Sequence, residues 1–269
     1  MINALRAELL LLNHFRTWLI TGLVTIGFAV TATAVLVLTA TPAVTDGSNR
    51  PGGGTGIPLE ELSGPGGATA AVSWSIYGFG FLLLLTGFTS RIGNDFSKGT
   101  FRTALLHNPN RWSLITGKMS ALMLVAMAHF VLSFVTGAVT SAILAPTQNI
   151  DTTGWFGVDA LGEAAIEFAR MSGWAFGWAL IATTLAVVVR SVPIAILMGV
   201  FWFGPIENVV GEDLEFAIRW FPGLLLQQVV STSPNAIVPT SDVIMTLTAY
   251  GLIAAAGMAV LFKRLDVTS

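Results

Sequence analysis

The residues best able to do chemistry crowd into one segment. Asp95-x-x-x-Gly99-Thr100-x-Arg102 is followed by Pro109-x-Arg111 and then by Lys118, with Lys98 between. An acid and several bases gathered in one segment mark exposed charge held close to a membrane, or a plain positive-inside anchor. Covalent chemistry finds little to use. The chain has no cysteine, so thiol nucleophiles, disulfides and cysteine-held metals are excluded. His14, His107 and His129 lack metal-ligand spacing, and no Gly-x-Ser-x-Gly nucleophile elbow occurs. A phosphate-binding loop needs Gly-Lys followed by Ser or Thr, so that backbone N–H groups and the lysine cradle the phosphates. The only Gly-Lys here is Gly117-Lys118, and Met119 follows it.

These residues must be positioned by membrane helices. Of the 269 residues 54% are hydrophobic and only 10% charged, against about 25% charged in a soluble domain. Mean hydropathy is +0.75. Such a chain cannot cover a water-facing surface, which excludes a soluble globular enzyme. The net charge of -2 gives no reason to expect a nucleic-acid partner. A span needs roughly 20 apolar residues. Uncharged stretches of that kind run over 17–40, 69–90, 119–145, 171–189, 191–206 and 243–262. The expectation is therefore an all-α integral membrane protein, a single transmembrane domain of six spans over 1–269. The first apolar run is too long for the h-region of a cleaved signal peptide. The fifth run rises only about 24 Å, and Pro205 can bend its end.

Basic residues set the orientation. With the N-terminus inside, ten of the thirteen basic residues fall on the inner side, and Arg50, Arg170 and Arg219 fall outside. Six spans put both termini in the cytoplasm. Three lysines against ten arginines, with many Ala and Gly, point to a GC-rich bacterial genome and so to a bacterial plasma membrane.

The intervening segments divide by composition. Residues 1–15 place Ile2, Leu5, Leu9 and Leu12 on one helical face, which fits an interfacial helix or an extension of the first span. Residues 41–68 are rich in Gly and Pro and read as a flexible outer loop. The second outer loop, about 146–166, carries Trp155 and Phe156 as plausible interface anchors. Glu167 and Arg170 fit a structural i,i+3 pair. Segment 93–110 reads as a short cytoplasmic helix, started by Asn94 or Asp95 and ended by Pro109; a plain positive-inside anchor is the alternative. Region 205–240 holds Glu207, Glu212, Asp213, Glu215 and Arg219, then the apolar run 221–230. That run is too short to cross, and fits a re-entrant helix or an amphipathic surface loop. Gly173-x-x-x-Gly177 has the close-packing spacing of membrane helices.

The spacing Asp95-x-x-x-Gly99-Thr100-x-Arg102, Pro109-x-Arg111, Lys118 resembles that of the ABC type-2 permeases, the membrane subunits of type V ABC exporters. Glu is more usual than Asp at the first position of that family, and Pro-x-x-Arg is common where this chain has Pro109-x-Arg111. The resemblance extends over the whole chain, through the N-terminal helix, six spans, inside termini and basic ending Phe262-Lys263-Arg264-Leu265-Asp266. It implies two short re-entrant helices before the last span. It also implies a dimer with a second permease subunit, the same chain or a related one, and two copies of an ATP-binding subunit. ATP and Mg would be bound by that partner, with no cofactor and no hydrolysis in this chain. The segment 93–110 would be the coupling helix, with Asp95, Lys98, Gly99, Thr100, Arg102, Pro109 and Arg111 at the ATPase. Substrate, whether drug, lipid, peptide or natural product, would be moved out of the cell.

By the same resemblance, spans two and five flank the substrate path, which makes Trp74, Tyr77, Phe81, Phe201, Phe203 and Asn208 pathway candidates. Ordinary aromatic packing is the alternative. His129 lies mid-span, where ionisable residues are costly; it could line a cavity or bond to a neighbouring helix. The outer acids Glu207, Glu212, Asp213 and Glu215 could favour a cationic substrate or form a solvated face. Two other function classes fit the composition. An ion-coupled secondary transporter would centre on His129 and shows no inverted repeat. A membrane enzyme would need a metal or nucleophile beside the outer acids.

Overall fold

The computed structural model describes residues 2–12, 14–41, 57–107, 110–210, 214–230 and 238–264. Its elements are helical, and the described residues contain no strand beyond one isolated bridge between Thr41 and Pro58. The helices are α1 (Ile2–Leu12), α2 (Phe15–Leu38), α3 (Leu59–Ser63), α4 (Gly67–Ser97), α5 (Thr100–His107), α6 (Arg111–Leu144), α7 (Val158–Val189), α8 (Val192–Phe201), α9 (Glu215–Trp220), α10 (Pro222–Val230) and α11 (Thr240–Arg264). Five of them, α2, α4, α6, α7 and α11, are long and apolar enough to cross a membrane. The chain is an all-α multi-pass membrane protein. Large side chains such as Leu23, Val24, Met245 and Leu252 are more than half exposed on these helices. Water would penalise that surface; hydrocarbon does not.

The expected fifth span is the exception. Its regular helix, α8, has ten residues and passes into a π-helical segment, Trp202–Val210, that contains Pro205. Proline lacks an N–H, and its ring crowds the carbonyl four residues back, so the backbone widens there. Three other helices are longer than their apolar runs. At 1.5 Å per residue the 31 residues of α4 reach about 46 Å, well past a ~30 Å hydrocarbon core. α6 begins at Arg111, before the expected 119, and α7 begins at Val158, which shortens the second loop. Apolar length marks the membrane-crossing part of a helix; its polar turns continue beyond. α1 is a helix in its own right, because His14 has extended backbone between Leu12 and Phe15.

The fold has two compact units. One holds residues 13–81 and 125–172. Its core joins Val37, Ile57, Leu62, Ala71, Ala145, Ile150 and Trp155. Residues 57–66 are therefore folded, which corrects the expectation of a flexible loop over 41–68; residues 42–56 lie outside the described residues. Trp155 is buried and donates its Nε1–H to the Leu62 carbonyl at 2.9 Å, so it is a core residue and not an interface anchor. Phe156 is exposed. A Cβ at Gly67 would strike the Leu62 carbonyl, so only glycine permits this approach of α4 to α3.

The other unit holds residues 1–12, 82–124 and 173–269. Here Thr89 donates to the Ala182 carbonyl at 3.4 Å. Ala217, Ile218, Leu224, Leu225, Val238 and Val243 form a core under α9, α10 and α11. Region 205–240 thus contains two short helices before the last long one; residues 211–213 and 231–237 lie outside the described residues. The expected single helix over 93–110 is corrected. Asn94 and Asp95 belong to the last turn of α4, not to a new start, and α5 begins only at Thr100.

Candidate functional site

The elbow between α4 and α5 is built from a glycine. Lys98 N–H bonds to the Asn94 carbonyl at 2.9 Å and Gly99 N–H to the Phe96 carbonyl at 3.4 Å, closing α4. Gly99 then takes φ +70 with open space where a Cβ would stand. That conformation is cheap for glycine and costly for other residues, and it turns the chain sharply. Phe96 and Phe101 pack across the turn with ring centroids 4.6 Å apart. α6 then starts at Arg111, with Asn110 Oδ1 accepting the Ser113 N–H at 3.0 Å as an N-cap.

Three charges tie the elbow down. Asp95 Oδ1 accepts the Thr100 hydroxyl at 3.0 Å, and Asp95 Oδ2 pairs with Lys118 Nζ on α6. Lys118 also meets Glu8 Oε1 on α1 at 3.3 Å. The lysine side chain is only 12% exposed, Glu8 17% and Asp95 26%. One cation between two carboxylates, half withdrawn from water, links α1, α4, α5 and α6 through charge-assisted bonds. The cluster can position and transmit; it has no nucleophile. No group of three metal-ligating side chains occurs among the described residues.

Of the expected coupling residues, Asp95 and Thr100 are brought together with Lys118. Gly99 makes the turn, Lys98 is exposed, and Arg111 opens α6. Arg102 lies in α5, but its side chain is outside the described residues, as is Pro109 altogether. Asp95 turns inward to this chain's own lysine. Glu8, off the apolar face of the first helix, is a partner that the local sequence does not single out. The signal for it was Lys118, a cation at the start of an apolar run that requires an acidic partner.

The pathway candidates fall in both units. In the first, Trp74 Nε1–H donates to Glu61 Oε1 at 2.7 Å. The Tyr77 hydroxyl donates to Glu167 Oε1 at 2.7 Å, and Glu167 Oε2 pairs with Arg170 at 3.7 Å. Phe81 is half-buried. His129 Nδ1 lies 2.7 Å from the Val125 carbonyl of its own helix, and its ring stacks on Trp18 at 5.5 Å. In the second unit Phe201 is exposed, while Phe203 is buried edge-on to Trp178 at 4.9 Å. The Asn208 side chain lies outside the described residues.

Glu207 corrects the expectation of a solvated acidic face. It is 1% exposed. Its Oε1 accepts Trp202 Nε1–H at 2.7 Å and its Oε2 accepts the Leu224 N–H at 3.0 Å, with the Gly223 N–H facing the same group. The carboxylate therefore caps the start of α10 from a remote element, where orphan N–H groups and the helix dipole favour an anion. Glu215 is exposed, as expected; Glu212 and Asp213 lie outside the described residues. No family model, no curated protein and no solved structure matches this chain.

Proposed function

We propose that the chain is the transmembrane subunit of an ATP-driven exporter of the ABC type-2 class. The observation that carries this reading is the tied elbow. A spanning helix runs past its apolar length, turns at Gly99 into an eight-residue helix, and is fastened by Asp95 and Lys118 to the next long helix. A push on α5 would be passed through these bonds to α4 and α6. The pair of short helices α9 and α10 before the last long helix supports the same reading. On it, two ATP-binding subunits hold ATP and Mg and do the hydrolysis, and a second permease subunit completes the membrane part. The excess of basic residues on the elbow side supports cytoplasmic termini in a bacterial plasma membrane. The cargo is a drug, lipid, peptide or natural product.

The reading also refines the role of Asp95. Its carboxylate is bonded to Thr100 and Lys118, so it acts by holding the elbow, while exposed Lys98 faces the motor. The test is gentle purification of the tagged chain from its host, with mass spectrometry of bound chains and an ATPase assay. A stoichiometric partner with a phosphate-binding loop is expected. Lys98→Glu should weaken its retention, and Asp95→Ala should uncouple hydrolysis from transport. A chain that purifies alone, without ATPase activity, under conditions that keep other complexes intact would overturn the proposal.

A further inference from the structure

One feature of the second unit that the proposed function does not use is a half-open cleft of about 810 Å³ between α7, α10 and α11. That lies within the ~300–1,000 Å³ range of small-molecule sites. Phe176, Leu180, Leu226 and Leu247 give it hydrocarbon walls. Its hydroxyls are already committed. Thr184 donates to the Leu180 carbonyl at 2.8 Å, Thr248 to the Ile244 carbonyl at 2.7 Å, and Tyr250 to the Trp220 carbonyl at 2.7 Å. No hydroxyl lining the cleft has a donor left for a polar ligand. Ordered water needs two to four polar partners, and this surface does not supply them.

The cleft is open on one side, so its apolar walls are filled by whatever surrounds the helices. Two of its walls, α7 and α11, are membrane-length helices, so the surrounding solvent is hydrocarbon.

The glycines shape the cleft. Gly173 and Gly177 share the spacing of helix-packing motifs, but they do different things. A Cβ on Gly177 would collide with Leu226 of α10, so that glycine serves close packing. A Cβ on Gly173 would meet nothing within 4 Å. Gly173 opens the cleft, and Gly251 on α11 faces it from the other side. α10, whose Leu226 and Pro222 form the third wall, is held in place by Glu207.

From these observations we infer that the α7–α10–α11 cleft is a binding site for one acyl chain of a membrane phospholipid. The site is independent of the exporter reading and needs only that the helices lie in a membrane. A lipid held there would exchange more slowly than the bulk lipid around the helices, because three walls must release it.

The test uses the full chain in nanodiscs of phosphatidylethanolamine and phosphatidylglycerol. A trace of phospholipid carrying a diazirine in one acyl chain is the probe. After photolysis, label should map to α7, α10 and α11 and should survive exchange into lipid-free detergent before photolysis. Gly173→Leu and Gly251→Leu fill the cleft and raise helix propensity. Each should cut the retained label about tenfold, equivalent to ~1.4 kcal/mol of affinity. Gly87→Leu, also in open space but away from the cleft, should not. Equal labelling in all variants would overturn the inference and leave these helices merely wetted by lipid. A wild-type map that skips the cleft, because a second copy or a partner helix fills it, would overturn it too. If a filled variant fails to fold, the wild-type map and its resistance to detergent decide alone.

Discussion

Asp95 and Glu207 are both carboxylates near the end of an apolar helix, and they are satisfied by opposite means. Asp95 keeps some contact with water and pairs with a cation, Lys118, which Glu8 shares. Glu207 is sealed off, and its partners are an indole N–H and the first N–H groups of α10. A cation pair is strong in the Coulombic sense but movable, since either side chain can swing away and water can replace it. A carboxylate fixed by backbone donors has no such substitute, because its partners are part of a helix end. The Asp95–Lys118 pair can therefore rearrange more readily than the Glu207 cap of α10.

The largest expected effect comes from removing the sealed carboxylate. Glu207→Ala orphans the Trp202 indole and the α10 start, and should cost about 3 kcal/mol in thermal unfolding followed in detergent by circular dichroism. Glu207→Gln keeps one acceptor oxygen and should cost about 1 kcal/mol. Indistinguishable Ala and Gln variants would contradict the capping role. Next is Lys118→Met, which leaves Glu8 and Asp95 facing each other and should cost about 2 kcal/mol. Asp95→Ala and Glu8→Ala should cost about 1 kcal/mol each and be non-additive, which a double-mutant cycle reads directly. Raising the salt concentration should shrink the Lys118 effect and leave that of Glu207 almost unchanged.

Gly99→Ala probes the elbow without touching a charge. The added methyl meets nothing, so the cost is the positive φ alone, about 1–2 kcal/mol. On the exporter proposal, a loss of coupling in a variant that still folds would show that the turn geometry itself matters. The smallest effect belongs to a third carboxylate. Asp151 accepts the Thr153 N–H at 2.9 Å at an exposed turn. The backbone bond, with a side-chain bond from the same threonine, favours the charged form and lowers its pKa below the ordinary 3.8. Its contribution is present above that ordinary value and is lost as pH falls through the lowered folded pKa. Asp151→Asn should lower stability slightly at neutral pH and leave the most acid end of the profile unchanged, as melting scans across pH would show.

Composition alone determined the class of this protein. With few charges and long apolar runs, no arrangement other than membrane helices satisfies both the side chains and the backbone, and five of the six expected spans are helices of spanning length. The concentration of charge in the 95–118 segment was readable too, but its charges read as exposed, and the pairing of Asp95 with Lys118 inside the chain was not legible there. Glycine and proline marked the elbow region, but the turn sits at Gly99 and not at Asn94 or Asp95, because the polar turns of α4 extend past its apolar stretch. Only the tertiary structure decided which acid serves which partner. Glu8 reaches Lys118 across more than a hundred residues, and Glu207, which local composition grouped with a solvated face, is buried by an indole and a helix start brought to it by folding. The same holds for the two glycines of one motif. Their spacing puts both on one face of α7, but whether that face meets a leucine or a cleft depends on where α10 and α11 come to rest.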